Sequence, residues 1–225
     1  MRFGGIQKTS LIDFPDKIST VLFTPGCNLR CPFCHNWRLV LNPQGPFLSE
    51  EAAIQTLKAR KKYIDAVVVT GGEPTIHKDL PLFLRKLKTE GFFVKIDTNG
   101  FFPQILRKCL PFVDFVALDI KTTLNKYKLL GAKSIRNYLR TVSMLKQENL
   151  PYEFRATVVP GFVDDEDIPK IGEVVHGAKR FVFQQFVPGD TLDETFNHVK
   201  PYPKETVVHF AEIMKKYVDT TFLRV

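Results

Sequence analysis

Short apolar runs alternate with longer stretches of mixed polarity along most of this chain. Ile18 to Thr24, Asp65 to Thr70, Phe93 to Asp97, Phe115 to Asp119, Tyr152 to Val159 and Arg180 to Phe186 are short and rich in β-branched or aromatic residues, which predicts strands. Helix signals lie between them. Ser49-Glu50-Glu51 sets a capping hydroxyl before two carboxylates and predicts a helix to about Lys61. Asp79 is expected to cap a helix that stops before Gly91, and a short helix fits between the third and fourth strands. Ser134 to Gln147, Asp167 to Val175 and Pro203 to Tyr217 predict three more helices, and Thr220 to Val225 a final short strand. Strands apolar on both faces, each followed by a helix, predict an α/β fold with a parallel sheet covered by helices. No Pro/Ser linker or low-complexity tract interrupts the rhythm, so one domain over residues 1–225 is expected.

Polar residues collect where the strands end. One strand runs into Thr70-Gly71-Gly72-Glu73-Pro74, another into Asp97-Thr98-Asn99-Gly100, a third into Asp119-Ile120-Lys121, and the sixth carries Gln184-Gln185. In α/β barrels and open α/β sheets, ligands bind at the carboxyl ends of strands. Gly71-Gly72 is a turn signal, and two glycines also let a ligand approach bare backbone. Asp97 and Asp119 end neighbouring strands, where each either caps the next loop or helix or faces a ligand. Arg155 sits in an otherwise apolar strand and is costly to bury without an anion.

The first strand delivers Gly26-Cys27-Asn28-Leu29-Arg30-Cys31-Pro32-Phe33-Cys34-His35-Asn36, with cysteines spaced C-x3-C-x2-C. Three close thiolates with no fourth nearby suggest a [4Fe–4S] cluster with one iron open to a substrate or cofactor. Other readings stand beside it. Cys31-Pro32-Phe33-Cys34-His35 matches a haem attachment pattern but leaves Cys27 unexplained. Three thiolates with His35 could hold zinc, although adjacent side chains diverge. Buried, inert thiols are the third possibility, and Cys109, in a Leu/Ile-rich segment, reads that way.

Composition narrows the setting. The 225 residues suffice for one substantial core, with 44% hydrophobic and 25% charged residues. No apolar run is long enough for a membrane span and no signal-peptide pattern follows Met1, so a reducing cytoplasm is expected, where clustered cysteines bind metal or catalyse. The net charge of +8 is dispersed among carboxylates apart from Lys58-Ala59-Arg60-Lys61-Lys62 at a helix end. It reads as a solvated surface suited to an acidic protein partner, with neither nucleic acid nor membrane expected.

The cysteine spacing resembles the signature of the radical S-adenosylmethionine (radical SAM) enzymes. With Gly26 ahead and His35-Asn36 behind, it resembles the branch that activates glycyl radical enzymes. Gly71-Gly72-Glu73-Pro74 is similar to the family segment that holds the amino group of the cofactor's methionine part. Asp97-Thr98-Asn99 resembles the segment that meets its ribose, Asp119-Ile120-Lys121 the D-x-K of the activating enzymes, and Arg155 with Val158-Val159-Pro160-Gly161 their R-x3-VPG. The resemblance implies a partial (β/α) barrel of parallel strands with outer helices. It implies Cys27, Cys31 and Cys34 as cluster ligands. Phe33, Asn36, Gly71, Gly72, Glu73, Asp97, Thr98, Asn99, Asp119, Lys121, Arg155 and Gln185 are its implied cofactor contacts, and a monovalent cation beside Asp97 and Asp119 belongs to the same picture. The implied reaction is reductive cleavage of S-adenosylmethionine and abstraction of a glycine hydrogen from a partner enzyme, with flavodoxin or ferredoxin supplying the electron. Phe183-Gln184-Gln185-Phe186 departs from the pyruvate formate-lyase activating pattern, which has a His there. It is more similar to activators of anaerobic ribonucleoside-triphosphate reductase. A different glycyl radical enzyme, a small-molecule substrate, or a non-catalytic three-cysteine metal module are the alternatives.

Overall fold

The structure is a computed structural model that describes residues 1–41 and 45–225. The chain forms two compact units. One comprises Met1–Asn28, Asn36–Thr98 and Phe102–Val116, the other Leu29–His35, Asn99–Phe101 and Ala117–Val225.

The first unit begins with β1 (Arg2–Phe3), β2 (Gly5–Ser10) and β3 (Ser19–Thr24), the last being the expected first strand. Then come α1 (Trp37–Leu41), β4 (Leu48–Ser49), α2 (Glu50–Arg60) and β5 (Ala66–Gly71). α3 (Leu80–Thr89), β6 (Phe93–Thr98) and α4 (Pro103–Cys109) complete it. β5 runs parallel to β3 on one side and β6 on the other, with Val68 beside Val21 and Val69 beside Ile96. Val67, Val68 and Val69 are fully buried, as expected of a central strand covered on both faces. Each such side chain contributes about 1.5–3 kcal/mol on leaving water.

Two expectations are corrected here. β2 pairs antiparallel with β3, so the sheet is mixed at this edge and not wholly parallel. The segment Gly-Ile-Gln-Lys-Thr-Ser lacks an apolar pattern because backbone pairing, not side-chain burial, makes it a strand. Ser49 caps α2 as expected, its Oγ accepting from Ala52 N at 3.2 Å. Asp79 does not cap α3. Its backbone is already helical, whereas a capping residue is extended, and its carboxylate instead pairs with the Met1 amino group at 3.0 Å.

The second unit takes in most of β7 (Phe115–Asp119), then α5 (Arg136–Gln147), β8 (Tyr152–Val158), α6 (Asp167–Val175), β9 (Ala178–Gln185), α7 (Lys204–Met214) and β10 (Val218–Arg224). β8, β9 and β10 are parallel neighbours, and β7 borders β8 on its other side. α5 buries Tyr138, Thr141, Val142 and Leu145, the three-and-four spacing of one helix face. The strand–helix alternation gives the expected α/β class. Among the described residues no helix is long and apolar enough to cross a membrane.

Candidate active site

None of the four cysteines is tied up in a disulfide. Cys109 lies on a buried helix face, and burial pushes its thiol up to about 12, which makes it the inert hydrophobe its surroundings suggested. Cys31 and Cys34 belong to a tight loop in the second unit. Cys34 N donates to Cys31 O at 3.1 Å, Leu192 N to Cys34 O at 3.1 Å and Asp193 N to Pro32 O at 2.9 Å. The Phe33 ring packs on Phe162 and Phe196, with centroids 5.1 and 6.2 Å away, so this side chain anchors the loop. His35 stacks on Phe186, a packing role.

In the first unit the glycine turn after β5 is clamped against the start of the cysteine loop. Gly72 N donates to Thr24 O and Glu73 N to Gly26 O, both at 2.8 Å. Asn36 Nδ2 donates to Gly71 O at 3.0 Å. Gly71 has φ +112, in the region that favours glycine, and a Cβ on Gly72 would collide with the Gly26 carbonyl. The glycines are therefore required by backbone approach. Glu73 is buried, and its Oε1 accepts from Thr75 N at 3.0 Å, from the Thr75 hydroxyl and from Thr98 Oγ1 at 2.7 Å. That carboxylate ties the end of β5 to the end of β6. Asp97, also buried, takes the Lys95 ammonium on Oδ1 at 2.6 Å. The sequence reading missed Lys95. Its signal was available, since a lysine two positions before an aspartate on one strand shares its face.

In the second unit Asp119, at the end of β7, is held by two cations. Lys121 Nζ approaches Oδ2 and Arg155 Nε approaches Oδ1, each at 2.8 Å. Burial alone would raise the Asp119 carboxyl, but Arg155 and Lys121 outweigh it and hold the group well below the usual carboxylate range. Burial would lower Lys121, yet Asp119, and after it the charge of Cys31, push it above the ordinary lysine value. Asn99 turns inward to its own loop, with Oδ1 accepting from Phe101 N at 3.2 Å.

The register of β8 and β9 separates the two glutamines. Arg155 lies beside Val182 and Thr157 beside Gln184, and residues in register on neighbouring strands share a face. Gln184 is therefore on the Arg155 face. Gln185 faces the other way, and its amide donates to Tyr202 O at 3.1 Å.

The donor set suits an iron–sulfur cluster, with three thiols in one short stretch of chain. Among the described residues no three His, Cys, Asp or Glu side chains form a ready-made metal cage, so the ligand assignment rests on thiol chemistry and motif.

Comparisons with known proteins bear on these groups. The sequence model of the Radical SAM superfamily matches residues 21–173. The chain is 38% identical over 233 residues to a "putative glycyl-radical enzyme activating enzyme" of Methanocaldococcus jannaschii, over 98% of this chain and 95% of that one. It is 29% identical to the pyruvate formate-lyase-activating enzyme of Clostridium pasteurianum, over 85% of this chain and 83% of that one. Streptococcus suis SuiB, solved with S-adenosylmethionine bound, shares the fold with a TM-score of 0.69 at 16% identity, over 91% of this chain and 52% of that one.

Proposed function

We propose a function from one established premise: this chain belongs to the radical SAM superfamily and, within it, to the glycyl-radical enzyme activating enzymes. It is a radical SAM enzyme whose cofactors are a [4Fe–4S] cluster and S-adenosylmethionine. Its reaction, on this reading, places a radical on a glycine of a partner enzyme. The carrying observation is 38% identity to an activating enzyme over 98% of the chain.

Cys27, Cys31 and Cys34 would hold the cluster. When bound, the cluster and S-adenosylmethionine supply one-electron reductive cleavage and the hydrogen abstraction that follows. The chain supplies binding and orientation. Asn36, Gly71, Gly72 and Glu73 would border the methionine part, with the Gly72 and Glu73 N–H groups and the Asn36 amide taken up in holding the turn and Glu73 fixing it further through Thr75 and Thr98. Asp97, Thr98 and Asn99 would line the ribose, and Phe33 would act by anchoring the cysteine loop. Lys121 and Arg155 are cations fit for the cofactor carboxylate, kept in place by Asp119. Gln184, on the face of Arg155, takes the role that the motif resemblance gave to Gln185. A monovalent cation would compete with Lys95 at Asp97 and with Lys121 and Arg155 at Asp119, and these internal cations would serve in its place.

The proposed organisation is a single radical SAM domain over residues 1–225, with flavodoxin or ferredoxin as electron donor. The proposed client is anaerobic ribonucleoside-triphosphate reductase, because Gln184-Gln185 stands where the lyase activators carry a His. Pyruvate formate-lyase is the second reading, favoured by relatives named for it. Reduced enzyme, S-adenosylmethionine and each candidate should be mixed anaerobically and examined by electron paramagnetic resonance. A glycyl doublet on the reductase alone supports the first client and a doublet on the lyase alone reverses it. No doublet on any glycyl radical enzyme sinks the activating function.

A further inference from the structure

Two tyrosines are buried side by side in the second unit, and their hydroxyls differ in what they bond. Tyr127 lies in the 3-10 turn Lys126–Leu130 and Tyr138 in α5, and both are 0% exposed. Their ring centres are 4.8 Å apart, and each packs on Phe101 with centres 5.7 Å apart. The chain closes behind Tyr127, where Ala132 N donates to Tyr127 O at 3.2 Å past Gly131 at φ +82. Aromatic packing around the ring and a closed turn at its base thus fix the Tyr127 hydroxyl in place. That hydroxyl accepts from Lys121 N at 3.1 Å. The Tyr138 hydroxyl is buried with no hydrogen-bond partner among the described residues.

Lys121 N is the second of two N–H groups that follow β7. The first, Ile120 N, donates to Arg155 O at 2.7 Å and is pinned by β8. The second is pinned by Tyr127. Together the two bonds fix the main chain just where the Lys121 side chain turns back to reach Asp119 Oδ2, two positions earlier, at 2.8 Å. We propose that Tyr127 is a positioning residue for the cofactor carboxylate, holding the Lys121 main chain so that its ammonium stays at Asp119, an inference that rests on Lys121 serving the cofactor as argued above. Packing alone does not call for a hydroxyl here, since phenylalanine fills the same space among Phe101 and Tyr138. The bond to Lys121 does call for one. Without it the segment after β7 keeps one of its two pins, and cofactor binding has to order the lysine first. Ordering a group on binding subtracts from affinity, and holding it ready beforehand avoids that cost.

The test is cofactor binding, read apart from any glycyl radical. Cluster-loaded wild type, Tyr127→Phe, Tyr138→Phe, Lys121→Met and the double variant Tyr127→Phe/Lys121→Met are titrated with S-adenosylmethionine by calorimetry, anaerobically and without reductant. Tyr138→Phe is the control, because it removes the neighbouring hydroxyl that makes no bond to Lys121. Tyr127→Phe should keep its iron and bind S-adenosylmethionine about tenfold more weakly, near the upper end of what one hydrogen bond contributes. Tyr138→Phe should stay within about twofold of wild type. In the Lys121→Met background the Tyr127 change should add little, since its effect passes through the ammonium. Wild-type affinity in Tyr127→Phe overturns the proposal, as does an equal loss in Tyr138→Phe. A full further loss in the double variant, or loss of iron from Tyr127→Phe, overturns it too, because the hydroxyl would then act elsewhere than on Lys121. Lys121→Met at wild-type affinity is a separate failure, which removes Lys121 from the cofactor site and this role of Tyr127 with it.

Discussion

Replacing Lys95 with Met tests how the first unit holds Asp97. Lys95 is fully buried on β6, with its ammonium 2.6 Å from Asp97 Oδ1. At that separation and an effective dielectric constant of about 20, the attraction is roughly 6 kcal/mol. Desolvation of the two groups cancels much of this. Methionine fills similar space but leaves Asp97 buried and charged without this ammonium. Removing one partner of a buried pair costs about 3–5 kcal/mol. In a chain of this length each kcal/mol moves Tm by about 2–4 °C, so Lys95→Met should unfold roughly 6–20 °C earlier. The double variant Lys95→Met/Asp97→Leu removes both charges and should regain most of the loss, because an apolar pair replaces a buried ion pair at little net cost. Thermal unfolding followed by circular dichroism reads both variants. Equal losses in the single and double variants, or a single-variant shift under about 2 °C, would refute the reasoning.

Cys27→Ala, Cys31→Ala and Cys34→Ala should each abolish the roughly four irons per chain expected after anaerobic reconstitution, whereas Cys109→Ala should keep them. Stoichiometric zinc in their place would end the cluster assignment. Gly72→Ala forces a methyl group against the Gly26 carbonyl and should cost about 1–3 kcal/mol of stability. It should also weaken S-adenosylmethionine binding in calorimetry, and unaltered affinity would remove this turn from the site. Asp119 is held below its ordinary value, so its stabilisation is full above the unfolded carboxylate pKa of about 3.9 and is lost as pH falls further. Urea unfolding across a pH series should therefore show a shallower acid limb for Asp119→Asn than for wild type, and parallel curves would contradict the ion-pair account.

Most of the fold was legible because burial on both faces writes itself into composition. Val67-Val68-Val69 and Phe181-Val182-Phe183 are fully buried and were readable as strands from their apolar runs alone. β1, β2 and β4 were not readable. They are two-residue or edge elements held by backbone pairing, which leaves no side-chain pattern. Asp79 illustrates a related limit. Its residue type is right for a cap, but the Met1 amino group, 78 positions away in sequence, outcompetes the local backbone.

The residues of the candidate site were legible as polar types at the strand ends, and their facing was not. Consecutive residues on a strand point to opposite faces, so a Gln-Gln pair names two candidates and gives no phase. The phase comes from β8. Arg155, part-buried, points to Asp119, which takes its Nε at 2.8 Å, and the parallel register then carries that facing to Val182 and, two residues on, to Gln184. Gln185 is turned to the opposite face, where the Tyr202 carbonyl takes its amide. The same alternation runs backwards from Arg155 to Glu153 and from Val182 to Arg180. The face that carries the proposed cofactor groups thus also carries the buried Glu153 with its two arginines, Arg180 and Arg224.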